Sequence, residues 1–145
     1  MEAKRILIID DEPSMTRMIR LTLEMTKRYQ VREENQALHA LSTAREFKPD
    51  LILLDVIMPG VDGGELARRI KADAVLNDVP VIFLTGTVTK KEAAEGAVTA
   101  GYPLLSKPVS LKSLVECMEN AFVAKAHAAA KPPAKPGEAV PGQRK

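Results

Sequence analysis

The amino-acid sequence predicts an α/β fold in which five helices cover both faces of one doubly wound, five-stranded parallel sheet. Three short apolar runs rich in Ile, Leu and Val carry this prediction, at residues 6–9, 51–54 and 81–84. Their apolar residues do not alternate with polar ones, which is typical of strands covered on both faces. Segments with helical spacing lie between the runs, and strands that alternate with helices favour a parallel sheet.

The first half of the chain predicts two helices around a weak second strand near residues 30–33. The first helix follows the 6–9 strand, and its predicted core stripe has helical spacing: Met15, Met18, Ile19, Thr22 and Met25. The second helix ends before Pro49, because proline interrupts helical hydrogen bonding. Its predicted core residues are Leu38, Leu41 and Ala44.

The second half predicts three more helices and a fifth strand near residues 104–106. The third helix follows Gly63 and Gly64, and its predicted core residues are Leu66, Ala67 and Ile70. The fourth, over about 90–100, has only small residues for its buried face and Gly96 at its centre, which costs about 1 kcal/mol relative to Ala. We expect it to be the least stable helix. The fifth has a regular apolar stripe: Leu111, Leu114, Val115, Met118 and Phe122.

Charge and composition divide the chain into one domain, 1–125, and an Ala/Pro/Lys-rich tail, 126–145, that we predict to be disordered. Four basic residues and one acid give the tail a charge of +3, which leaves −1 of the total +2 to the domain. The excess of positive charge therefore does not predict direct nucleic-acid binding. No apolar run approaches the roughly 18 residues of a membrane span, and no secretory signal is evident. We predict a cytoplasmic protein without membrane contact.

Polar side chains follow four predicted strands at the point where each strand ends. Asp10 and Asp11 follow the first strand, Asp55 the third, Thr85 the fourth and Lys107 the fifth. Each has an ordinary structural explanation; Asp11, for example, could cap the next helix. Because the carboxyl ends of parallel strands share one edge of the sheet, we expect all five side chains to meet there. The combination is far more specific than any member.

Three carboxylates at one edge need neutralising charge. Each like-charge pair at 4 Å costs on the order of 4 kcal/mol at an effective dielectric near 20. Lys107 supplies one positive charge and a divalent cation would supply two. Mg²⁺ fits better than a transition metal, because neither His39 nor Cys117 is placed near this edge and Mg²⁺ prefers oxygen ligands.

Four motifs together resemble the receiver domain of bacterial two-component response regulators over about residues 4–125. The matching motifs end the first, third, fourth and fifth strands: Ile9-Asp10-Asp11, Leu54-Asp55-Val-Ile-Met-Pro59-Gly60, Leu84-Thr85-Gly86 and Ser106-Lys107-Pro108. The resemblance implies a flavodoxin-like sheet with strand order 2-1-3-4-5. It also implies a signalling domain that assists its own phosphorylation and dephosphorylation, rather than an enzyme.

The resemblance assigns Asp55 as the phosphoacceptor, which takes a phosphoryl group from the phosphohistidine of a sensor histidine kinase or a phosphotransfer protein. It assigns Mg²⁺ to the side chains of Asp11 and Asp55 and to the backbone carbonyl of Ile57, with Asp10 acting through a water. It leaves the downstream target and the oligomeric state open.

The resemblance also implies a switch, and here this sequence departs from the family. Lys107, Thr85 and Gly86 are implied to contact the phosphoryl group, after which a surface around the fourth helix and fifth strand changes. The family usually has an aromatic residue three positions before the lysine, where this chain has Leu104. The nearest aromatic is Tyr102. We therefore expect an altered switch region.

Three other functions are compatible with parts of the pattern. A flavin- or nucleotide-binding protein would need a small-residue loop after the first strand, where acids stand instead. An aspartate-nucleophile phosphatase would need a second acid at position 57, which is Ile57. A receiver-like adaptor that is not phosphorylated remains the main alternative, because of the altered switch region.

Overall fold

The computed structural model describes residues 3–58, 60–85, 103–106 and 110–130 of the 145-residue chain. Five strands form the main sheet: β1 (Lys4–Ile9), β2 (Tyr29–Glu34), β3 (Leu51–Asp55), β6 (Val81–Thr85) and β7 (Leu104–Ser106). A small antiparallel hairpin, β4 (Ile57–Met58) with β5 (Val61–Asp62), lies outside this sheet. All pairs in the main sheet are parallel, in the order β2-β1-β3-β6-β7. Without the hairpin this is the predicted order 2-1-3-4-5, and the flavodoxin-like fold is confirmed.

Four α-helices and one 3₁₀ turn lie within the described residues: α1 (Pro13–Met25), the 3₁₀ turn (Ala37–His39), α2 (Ala40–Phe47), α3 (Gly63–Ala72) and α4 (Leu111–Ala130). The helix predicted over 90–100 lies outside the described residues. Helix α4 continues five residues beyond the predicted domain boundary at 125, where alanines with high helix propensity extend it. The rest of the predicted tail, 131–145, is not described. None of the helices in the described part has the length and apolar character needed to cross a bilayer.

The strands bury both of their faces, which explains their uninterrupted apolar runs. Leu7, Ile52 and Phe83 belong to a core cluster that includes residues of α2 and α3. Ile6, Ile8, Leu51, Leu53, Ile82 and Leu84 belong to a second cluster with residues of α1 and α4. Full burial of such a side chain contributes about 1.5–3 kcal/mol.

The predicted core stripe of α1 is wrong at two positions. Met18 and Met25 are 56% and 79% exposed, whereas Thr16, Ile19 and Leu23 are the buried residues of this helix. Apolar residues occupy several sides of α1, so spacing alone does not identify its inner face. A buried threonine on that face has polar partners at the end of β2.

The second helix also differs from the prediction at its start. Leu38 lies in the 3₁₀ turn and is 90% exposed, while Leu41 packs partly against the core and Ala44 is fully buried. The 3₁₀ turn precedes α2, so the α-helix begins at Ala40, after Leu38. Leu38 is therefore a surface residue beside the carboxyl edge of β2.

Gly63 brings the start of α3 against the end of β3. A Cβ atom at this position would lie 2.6 Å from the Val56 carbonyl oxygen and 2.7 Å from that of Asp55. The Gly63 N–H donates to the Val56 carbonyl at 3.1 Å. Only glycine permits this approach of helix to strand backbone.

Candidate functional site

Three carboxylates meet at the carboxyl edge of the sheet, as predicted. Asp10 follows β1, Asp11 comes next, and Asp55 ends the adjacent strand β3. One oxygen from each of the three carboxylates lies within 4.8 Å of the others. Asp10 is fully buried and Asp55 is 3% exposed, whereas Asp11 is exposed. The parallel pairing of β1 with β3 produces this cluster, because it aligns the ends of two strands that are distant in sequence.

The cluster has the chemistry of a site for a hard divalent cation. At separations up to 4.8 Å, each pair of ionised carboxylates repels by at least about 3.5 kcal/mol at an effective dielectric near 20. The three donors are all carboxylate oxygens, with no histidine or cysteine among them. This donor set fits Mg²⁺ or Ca²⁺ better than zinc or copper.

Hydrogen bonds at the start of α1 shape the first part of the cluster. The Asp10 Oδ1 atom accepts from the Glu12 N–H at 3.0 Å, and Glu12 is the N-cap residue of α1. The simpler explanation of Asp11 as the helix cap therefore does not apply. Pro13 opens the helix at a position where no amide hydrogen is needed.

The segment after β3 holds the second part of the cluster. The Val56 N–H donates to the Leu84 carbonyl of β6 at 2.9 Å, which ties the residue after Asp55 to the sheet. Ile57 pairs with Asp62 in the small hairpin. The Asp62 side chain accepts from the Gly64 N–H at 2.9 Å and caps α3. The role of the Ile57 carbonyl as a metal ligand stays a prediction.

The remaining predicted residues are only partly within the described chain. Thr85 ends β6 and is paired with Ser106 at the end of β7, so both strands end at the edge that carries the carboxylates. Leu104 is half-buried and packs against the core cluster that includes Phe83. Gly86, Lys107 and Tyr102 lie outside the described residues, and their predicted roles stay predictions.

The sequence patterns did not predict a role for Asn35 at this edge. Asn35 follows β2, and its amide contacts the backbone of Asp10 as well as Thr16 on α1. A signal existed, because Asn35 also follows a strand at the carboxyl edge. The predicted second strand ended at residue 33, which hid this placement.

A comparison with known families identifies the domain. The family model described as the response regulator receiver domain matches residues 6–119. The chain belongs to this family. Receiver domains are signalling domains, and phosphorylation on an aspartate is characteristic of them. They typically bind Mg²⁺ and interact with histidine kinases or phosphotransfer proteins.

Two proteins similar to this chain differ in length. The chain is 41% identical over 116 residues to the phosphate regulon transcriptional regulatory protein PhoB of Pseudomonas aeruginosa, covering 79% of this chain and 50% of PhoB. It is 34% identical over 121 residues to protein PilH of the same organism, covering 83% of this chain and 98% of PilH. The chain thus spans about half the length of PhoB and nearly all of PilH.

Solved receiver structures superpose on the same core. The receiver domain protein of Clostridium thermocellum is 28% identical with a TM-score of 0.75, covering 86% of this chain and 98% of that one. The chemotaxis protein CheY4 of Vibrio cholerae is 25% identical with a TM-score of 0.73, covering 83% of this chain and 99% of that one.

Proposed function

We propose that this receiver domain accepts a phosphoryl group on Asp55 from the phosphohistidine of a sensor histidine kinase or a phosphotransfer protein. The meeting of Asp10, Asp11 and Asp55 within 4.8 Å is the observation that carries the proposal. Asp55 ends a buried strand in a cluster of acids, and membership of the receiver family makes a carboxylate there a candidate acceptor.

The proposed chemistry is a displacement at phosphorus. A carboxylate oxygen of Asp55 attacks the phosphorus atom, the bond from phosphorus to the donor nitrogen breaks, and its electron pair returns to the donor imidazole. The product is an aspartyl phosphate and a free histidine. Such a loose transition state needs mainly positioning and charge neutralisation from the protein.

Asp10, Asp11, Asp55 and the Ile57 carbonyl would hold Mg²⁺. When bound, the ion would neutralise part of the negative charge on the carboxylates and on the phosphoryl oxygens. Lys107 would supply a further positive charge, and Thr85 with Gly86 would contact the new phosphoryl group, as the resemblance implies. We expect the response to alter a protein-binding surface around the predicted helix 90–100 and β7, where Leu104 replaces the usual aromatic residue. The cytoplasmic location stays a prediction.

The test is labelling of the full chain with a small phosphodonor and Mg²⁺. We expect one phosphate that survives acid and is removed by hydroxylamine, detected by intact-mass spectrometry. Asp55→Asn abolishes it, because an amide cannot form the acyl phosphate. Asp78→Asn, which removes an exposed carboxylate in the turn between α3 and β6, is the matched control and keeps the label.

Two results would contradict the proposal. A label that persists in Asp55→Asn would place the phosphate on another residue. A wild-type chain that stays unlabelled with small donors and with a phosphorylated histidine protein would favour the alternative function, a receiver-like adaptor that is not phosphorylated.

A further inference from the structure

A short chain of hydrogen bonds lies beside the turn that carries Asp10 and Asp11. The Asn35 Nδ2 atom donates to the Asp10 backbone carbonyl at 2.8 Å and to the Thr16 Oγ1 atom at 3.0 Å. The Thr16 hydroxyl is fully buried and lies 2.6 Å from the Glu33 Oε1 atom. The residues come from the end of β1, the first turn of α1 and the end of β2.

The chemistry of the partners determines the direction of each hydrogen bond. An ionised Glu33 carboxylate can only accept, so the single hydroxyl hydrogen of Thr16 points to it rather than to the Pro13 carbonyl at 3.1 Å. Burial raises the pKa of Glu33, but hydrogen bonds from Thr16 and Arg20 outweigh it and hold this pKa below its usual value. Glu33 therefore stays ionised near neutral pH.

The same logic orients the Asn35 amide. The Thr16 oxygen has used its hydrogen, so it accepts from Asn35, and the Asp10 carbonyl can only accept. With the amide turned over, its oxygen would face two acceptors. The acceptor Glu33 fixes the direction of the Thr16 hydroxyl, and the Thr16 oxygen in turn fixes the NH₂ group of Asn35 toward the Asp10 carbonyl.

This contact acts on the peptide unit that joins two carboxylates of the site. The Asp10 carbonyl belongs to the peptide plane between Asp10 and Asp11, and that plane determines where the Asp11 side chain starts. The Asp10 N–H donates to the Glu34 carbonyl at 3.1 Å. Both backbone polar groups of Asp10 are thus held by the segment 34–35, while exposed Asp11 depends on the same peptide for its direction.

We propose that Asn35 is a positioning residue, which holds the Asp10–Asp11 turn in the geometry that binds the divalent cation. This inference rests on the proposed function, because it assumes that the three carboxylates share a cation. Residues that orient metal ligands without touching the metal typically contribute about 10- to 100-fold to metal affinity. Thr16 and Glu33 act through Asn35 by fixing its amide.

The test is Mg²⁺ affinity of the full, unphosphorylated chain, measured by isothermal titration calorimetry with Mg²⁺ alone as the ligand. Asn35→Leu keeps the branched shape and removes the donor, and we expect it to weaken binding about 10- to 100-fold. Gln36→Ala is the matched control: this neighbouring amide is exposed, and its loss leaves the affinity unchanged.

Thr16 provides a second pair of variants in case Asn35→Leu fails to fold. We expect Thr16→Val to weaken Mg²⁺ binding, because it removes the hydroxyl that orients the Asn35 amide. Thr16→Ser keeps the hydroxyl and should bind Mg²⁺ with the wild-type affinity. If the role of Thr16 were purely structural, Thr16→Val and Thr16→Ser would bind Mg²⁺ with equal affinity whenever their circular dichroism spectra match. The rate of phosphorylation adds a further readout: at saturating Mg²⁺ we expect Asn35→Leu to approach the wild-type rate, with the loss confined to low Mg²⁺.

The outcomes separate this inference from the proposed function. Wild-type Mg²⁺ affinity in both Asn35→Leu and Thr16→Val would overturn the positioning role alone, with phosphorylation of Asp55 unaffected. A wild-type chain that neither binds Mg²⁺ nor accepts phosphate would overturn both.

Discussion

Helices α1 and α4 pack against the same face of the sheet, yet they use different kinds of residue to do so. Helix α4 contributes Leu114 and Met118 to the core cluster, with Val115 and Phe122 partly buried against it. Helix α1 contributes Ile19 and Leu23 together with the buried hydroxyl of Thr16. It leaves Met18, Leu21 and Met25 exposed.

The difference shows when spacing identifies the inner face of a helix. In the predicted stripe of α4, Leu114 and Met118 are buried, Val115 and Phe122 are partly buried, and Leu111 is 39% exposed. On α1, apolar residues at 15, 18, 19, 21, 23 and 25 occupy several sides of the helix. Its orientation is then decided by which side offers partners for Thr16 as well as room for Ile19 and Leu23. Hydrogen bonding of the buried Thr16 hydroxyl can therefore outweigh the free-energy cost of exposing two methionine side chains.

The largest expected effect is the loss of a buried anchor from either helix. Leu23 of α1 and Met118 of α4 are both fully buried. Leu23→Ala and Met118→Ala should each lower the free energy of unfolding by about 2–5 kcal/mol, because the removed atoms leave a cavity. Urea denaturation followed by circular dichroism measures this. Val123→Ala on the exposed side of α4 is the control; a cost for Leu23→Ala as small as the control's would refute the observed orientation of α1.

A smaller, pH-dependent effect is expected where α4 meets β2. The Tyr29 hydroxyl donates to the Glu119 carboxylate, and burial followed by this hydrogen bond raises the pKa of Tyr29 to about 12. In the unfolded chain the tyrosine pKa is about 10. A raised folded pKa favours the protonated form, so the stability it contributes is complete below about pH 10 and is lost between about pH 10 and 12.

Tyr29→Phe tests this contact. At pH 8 we expect the variant to be about 1 kcal/mol less stable than wild type, because the hydrogen bond to Glu119 is missing. Urea denaturation of both proteins should show the difference shrinking as pH rises above 10, since only wild type loses the tyrosine contribution. A constant difference from pH 8 to 11.5 would contradict the raised pKa of Tyr29.

The smallest effect is expected on the outer side of α1. Met18→Gln and Met25→Gln should change the free energy of unfolding by less than about 0.5 kcal/mol, because these side chains are already mostly exposed. The original spacing prediction implies a loss several times larger. Thermal denaturation of the two variants beside Ile19→Ala, which removes a buried side chain of the same helix, distinguishes the two orientations.

Much of the fold and of the candidate site was predictable from local patterns. Continuous apolar runs identified β1, β3 and β6, and the acids directly after the first two runs predicted the carboxylate cluster that the structure contains. The predictions for Gly86 and Lys107 concern residues outside the described chain and stay predictions, as does the helix over 90–100. The contacts of Asn35 with Asp10 and Thr16 were not predicted, because the predicted second strand ended at residue 33 and hydrogen-bond partners depend on how α1 packs beside β2.

By itself the sequence determined the kinds of element, their order, and the acids at the ends of β1 and β3, since periodicity and strand ends are local properties of the chain. Only the tertiary structure decided which side of α1 faces the sheet and which amide supports the Asp10–Asp11 turn. Both depend on the register of β2 beside β1, which brings Glu33 and Asn35 next to α1. Hydrogen-bond partners are selected by distance in space, and distance in space follows from packing.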